Sequence, residues 1–80
     1  MELVTRIPLG TAVIGANEVI KSIKGGRVKR VIIAKNCPQV LIGRLELAGK
    51  VTIEIFDGDQ KELGIRFGKP FPIAVAGFEK

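Results

Sequence analysis

The stretch GANEVIKSIKGG, residues 15–26, holds the most chemically pointed group of side chains in this 80-residue chain. Asn17 donates and accepts hydrogen bonds, Glu18 only accepts when ionised, and Lys21 only donates. Such a trio suits the mixed edges of nucleic-acid bases, where lysine donates to guanine acceptors and glutamate accepts from base N–H groups. A carboxylate close to phosphates is electrostatically unfavourable unless it finds those donors. Its presence beside a cation therefore points to specificity rather than general attraction. The plainer alternative is that the three side chains are only the wet face of an amphipathic helix.

Other chemistries lack their residues. There is no histidine, so the commonest general acid–base group at neutral pH is missing. Ser22 is the only serine and has no base to activate it, and Cys37 lacks a histidine partner. Asp57 and Asp59 are the only close acidic pair, and the local sequence supplies no further oxygen ligands for a metal. A turn and a helix cap are the better reading of that pair. Gly10 and Gly15 do not make a dinucleotide fingerprint, and no lysine follows a glycine at phosphate-loop spacing. No catalytic residue, metal site, cofactor or small-molecule substrate is expected.

The elements that must position the trio follow from periodicity. At 100° per residue Ala16, Val19, Ile20 and Ile23 fall on one side, opposite Asn17, Lys21 and Lys24, with Glu18 at the edge. Gly25 and Gly26 end this helix of about ten residues, because glycine takes the left-handed conformation of a C-terminal cap. Before it, residues 11–14 read as a brief strand between Gly10 and Gly15. In the opening ten residues Pro8 limits any first helix to a short one. Residues 28–37 become continuously apolar at 31–34, as in a central strand covered on both faces. Pro38 suits the first turn of a following helix, where residues 39–48 have mixed helical spacing weakened by Gly43 and ended by Gly49. Residues 51–57 alternate as a strand. Asp59 and Glu62 resemble a capping pair opening a helix through Phe67, which Gly68 closes, and residues 73–78 form the last strand. The order β-α-β-α-β-α-β predicts a layered α/β domain.

Bulk properties agree. The length allows one domain, residues 1–80, and the apolar share of 46% is that of a folded chain rather than a disordered one. The formal net charge of +5 favours a polyanionic partner, nucleic acid or an anionic surface, although many solvated surfaces carry such an excess. The single cysteine excludes an intrachain disulfide and fits a reducing compartment. No apolar run is long enough to cross a bilayer and no signal-peptide pattern opens the chain, so a cytoplasmic location is expected.

Residues 15–21, Gly-Ala-Asn-Glu-Val-Ile-Lys, resemble the Gly-x-Asn-Glu-x-x-Lys signature of the kink-turn RNA-binding superfamily. That superfamily includes the ribosomal proteins called L-seven-Ae and L-thirty-e and the box C/D core protein. KRVIIAKNCP, residues 29–38, is similar to its central strand and polar exit. Glu62-Leu63-Gly64, Gly68-Lys69 and Phe71 are similar to the last helix and recognition loop of the thirty-e branch. The resemblance spans residues 9–78. It implies a three-layer α/β/α sandwich around a four-stranded mixed sheet, binding an RNA bend built on sheared G·A pairs. By the same resemblance Asn17, Glu18 and Lys21 would meet the G·A edges and Gly15 would let the backbone approach. Lys69, Phe71 and Ile73 belong to a loop that would pack on the base flipped out of the bend, and Lys24, Lys35 and Asn36 would be rim contacts. Phe71 has a rival reading as a core plug.

The chain departs from the family pattern at two places. The region before the first strand is too short for the usual first helix, and residues 37–51 do not carry the usual long third helix, so both are expected in trimmed form. A trimmed member fits a site in ribosomal RNA, with neighbouring ribosomal proteins covering what is missing. The resulting expectation is a structural RNA-binding protein of the large ribosomal subunit. The alternative is a protein-interaction module on the same fold.

Overall fold

The computed structural model describes residues 2–4 and 12–79. Within them run strands β1 (Glu2–Val4) and β2 (Ala12–Ile14), helix α1 (Ala16–Lys24), strand β3 (Val28–Ile33), helix α2 (Gln39–Ala48), strand β4 (Thr52–Phe56), helix α3 (Gln60–Arg66) and strand β5 (Val75–Glu79). The sheet order is β1-β4-β3-β5-β2. β4 pairs in parallel with both β1 and β3, while β5 runs antiparallel to β3 and β2. The sheet is mixed, as expected.

Alternation along the strands feeds two apolar clusters. Val31, Ile33, Ile53 and Val75 point to one face, where Val19, Ile20 and Ile23 of α1 and Leu45 of α2 cover them. Ile32, Phe56, Ala76 and Phe78 point to the other, packed against Leu63 of α3 and Ile73. β3 lies in the middle of this three-layer sandwich, which is why its sequence turns apolar at every position: residues 31–34 are all buried. Cys37 joins the α1/α2 cluster, and burial pushes its thiol above the ordinary range.

The expected four-stranded sheet is corrected to five strands. Residues 2–4 form a strand rather than a shortened first helix, with Leu3 in register with Ile55. The physical reason is the open edge that β4 would otherwise present, a row of unpaired N–H and C=O groups that a parallel neighbour satisfies. Three residues are too few to display a strand period. Pro8, Gly10 and Thr11, used above to read the opening, lie outside the described residues. α2 is ten residues long, and Pro38 is its N-cap rather than its first residue. The last strand starts two residues later than expected, leaving Ile73 and Ala74 on the approach to it.

Glycine fixes one spacing. A Cβ built on Gly77 of β5 would sit 2.8 Å from a Val28 methyl and 3.4 Å from a Val19 methyl. With no side chain there, α1 settles directly onto β5. On the α3 side Glu54 is buried and its carboxylate accepts a hydrogen bond from the Arg30 guanidinium, so the charge is not left unpaired in the interior.

Candidate nucleic-acid interface

Because β2, β3, β4 and β1 all run the same way, their C-terminal ends and the start of β5 share one end of the sheet. Every loop that carries an expected contact leaves from that end, apart from the far end of α1. Backbone bonds tie the loops together. Gly15 N–H donates to Val75 O (3.3 Å), Ala34 N–H to Ala74 O (2.9 Å), Lys35 N–H to Gly58 O (2.8 Å) and Ile73 N–H to Gln60 O (3.0 Å).

α1 begins at Gly15, whose φ of 99° is one that L side chains avoid. No side chain caps this helix start, and a Cβ at Gly15 would meet nothing within 4 Å. The first-turn amides therefore remain open to an anion, with the positive end of the helix dipole behind them. Asn17, Glu18 and Lys21 are all exposed on the same helix. Their separation from the core is clean, since Val19, Ile20, Ser22 and Ile23 are the buried residues.

α3 contrasts with α1. Its start is closed twice over: Glu62 N–H donates to Asp59 Oδ1 (2.9 Å) and Gln60 N–H donates to Asn36 Oδ1 (2.9 Å). The Gln60 side chain also donates to the Asn36 carbonyl (3.2 Å). Asn36, expected as a rim contact, thus spends its side-chain oxygen on capping a helix 24 residues away. Lys35 lies beside it in an exposed pair with Asp57 (3.2 Å), weak enough to be given up to a phosphate.

The loop after α3 lies across that helix. Lys69 N–H donates to Gly64 O (2.9 Å), and the Phe71 carbonyl rests so close to Gly64 that a Cβ there would lie 2.1 Å from its oxygen. Phe71 itself is 50% exposed, which sets aside the core-plug reading. It lines a shallow cleft of about 310 Å³ with Lys61, Ile65, Lys69, Pro70 and Pro72. Lys61 and Ile65 were not singled out from the sequence; an apolar residue off the buried face of α3 was the available signal.

Two expected contacts sit elsewhere. Ile73 is 2% exposed and packs with Ile32, Phe56 and Leu63, so it is a core residue and not a face for a flipped base. The family resemblance alone places it in the contact loop, while the residue pattern puts it at the start of the last strand. Lys24 ends α1, about 10 Å along the helix from Asn17 at 1.5 Å per residue. It lines a separate groove with Arg44.

The layers and the single polar loop end define a mixed-sheet α/β/α domain with an open helix start beside an aromatic-bearing loop. The chain belongs to the ribosomal protein L7Ae/L30e/S12e/Gadd45 family, whose sequence model matches residues 7–80. The large ribosomal subunit protein eL30 of Archaeoglobus fulgidus is 36% identical over 61 residues, which cover 76% of this chain and 70% of that protein. The eL30 of Sulfurisphaera tokodaii is 37% identical over 79 residues, 95% of this chain and 74% of that one. Among solved structures, the Giardia lamblia 15.5kD RNA binding protein superposes with a TM-score of 0.66 at 30% identity. That match covers 86% of this chain but 60% of the Giardia protein, so the chain spans well under the full length of that relative. A Bacillus halodurans protein of unknown function gives a TM-score of 0.70 at 20% identity over 86% of this chain and 71% of that one, a likeness of fold. The curated relatives named here are ribosomal proteins, and the chain is not an enzyme.

Proposed function

We propose that this chain is an RNA-binding component of the large ribosomal subunit, acting in the cytoplasm, and that it holds a kink-turn in ribosomal RNA. The observation that carries the reading is the start of α1, which no side chain among the described residues caps, with Asn17, Glu18 and Lys21 exposed around it. Family membership and the names of the relatives support the RNA class.

Each group has a distinct task. The amides after Gly15 take a backbone phosphate, as helix starts do. Asn17, Glu18 and Lys21 meet the base edges of the sheared G·A pairs, where the carboxylate accepts from base N–H donors. Lys35 and Lys69 neutralise neighbouring phosphates, while Phe71 stacks on an unstacked base. The Gly15–Val75 bond couples the helix start to the strand that follows the Phe71 loop, so both parts keep a fixed relation. Binding only the bent RNA makes that minor conformer dominant.

The test is a gel-shift titration with a duplex containing tandem sheared G·A pairs and a twin in which they are Watson–Crick pairs. Strong preference for the first is expected. Equal affinity for both would leave a merely basic surface, and an affinity indifferent to salt would argue against phosphate contacts altogether.

A further inference from the structure

The last turns of α1 and α2 form a groove of about 210 Å³ at the end of the sheet remote from the loops, lined by Ile20, Lys24, Arg44, Leu47 and Ala48. α2 is built as though something lay on its outer side. Val40, Leu41, Ile42, Leu45, Leu47 and Ala48 make it apolar around most of its circumference; Leu45 is buried and Leu41, Ile42 and Ala48 pack half-buried against the core, which leaves Val40 and Leu47 uncovered. A helix of that composition is ordinarily covered on several sides. Val40 and Leu47, seven residues apart and so on one stripe, are 77% and 89% exposed. Gly43 lies between them, and a Cβ there would meet nothing within 4 Å.

The groove is also charged in one sense only. The ion pairs among the described residues are Arg30–Glu54 and Lys35–Asp57, so Lys24 and Arg44 have no acidic partner among those residues. Among the described residues no acidic one lines the groove. We propose that it docks an acidic, leucine-bearing helical segment of another protein, with aliphatic side chains against Ile20 and Leu47 and carboxylates on Lys24 and Arg44. RNA fits less well, because the groove has no aromatic ring on which a base can stack and offers two cations. A second copy of this chain fits less well too, since it would bring the same cations to the same place. The inference does not rest on the RNA reading, which concerns the other end of the sheet.

The probe is a fluorescein-labelled synthetic helical peptide on the order of fourteen residues long, with leucines three and four apart and glutamates beside them. Anisotropy titration with the full chain at physiological salt should give saturable binding. Amide shifts in 15N spectra should centre on Lys24, Arg44, Leu47 and Ala48. Leu47→Asp and Arg44→Glu should each weaken binding roughly tenfold or more, as loss of a complementary contact does. Circular dichroism and the thermal midpoint of both variants should match the parent, which separates lost docking from lost folding. The proposal is overturned if no saturable binding occurs, or if a peptide with lysines in place of glutamates binds as well. It is equally overturned if the groove amides respond to a uridine oligonucleotide instead, or if the chain dimerises and Leu47→Asp abolishes the dimer.

Discussion

α1 and α2 lie side by side on the same face of the sheet and are nearly equal in length, yet they sort their residues in opposite ways. In α1 polarity and burial coincide: Val19, Ile20 and Ile23 go inward while Asn17, Glu18, Lys21 and Lys24 stay in water. In α2 they do not, since Leu45 is wholly buried and Leu47, two positions on, is 89% exposed. The difference separates two uses of a helix surface. α1 anchors itself by burial and keeps an all-polar wet face in solvent, whereas α2 holds on by less and leaves aliphatic surface exposed.

Substitutions test that contrast, the largest effect first. Leu45→Ala removes a side chain enclosed by both helices and the sheet, and urea unfolding should show a loss of about 2–5 kcal/mol. A loss below 1 kcal/mol would mean that α2 is not anchored through this residue. Lys21→Ala should leave the urea midpoint unchanged and weaken binding to the kinked RNA by about 1–3 kcal/mol, the scale of one good base contact. If stability falls instead, the wet face of α1 is structural. Gly49→Ala places a Cβ 2.9 Å from a methyl of Ile23, where the two helices meet. Its φ of 165° is ordinary extended backbone, so the cost is packing alone, about 1 kcal/mol in the same unfolding assay. Leu47→Ala should change stability by less than about 0.5 kcal/mol in the isolated chain, as for other exposed positions.

The same contrast explains what could be read from sequence. α1, β4 and α3 were legible because each carries a clean period and its own terminators. Asp59 even caps Glu62 as the spacing implied. α2 was only half legible: Val40, Leu41, Leu45 and Ala48 mark a helix, but a residue pattern cannot say which apolar positions stay exposed. β1 escaped because its stability comes from pairing with β4, about fifty residues on, and not from anything within Glu2–Val4.

Among the candidate contacts, Asn17, Glu18, Lys21 and Phe71 are exposed, as a contact residue must be. Asn36 and Ile73 fell differently for reasons no local window contains. One side chain reaches the start of α3, and the other is enclosed by three separate elements. Polar character next to a strand end reads the same whether its partner is a ligand or a distant backbone amide.

A final consequence belongs to Gly77, which touches neither Asn17 nor Phe71. The bare Cα of β5 leaves room for the Val28 methyls of the neighbouring strand, 2.8 and 3.3 Å from where a Cβ would stand, with Val19 of α1 at ordinary contact distance. A methyl inserted there would crowd Val28 of β3 before it pressed on α1. The seat of α1 is thus shared between a missing side chain and the valine that fills its place.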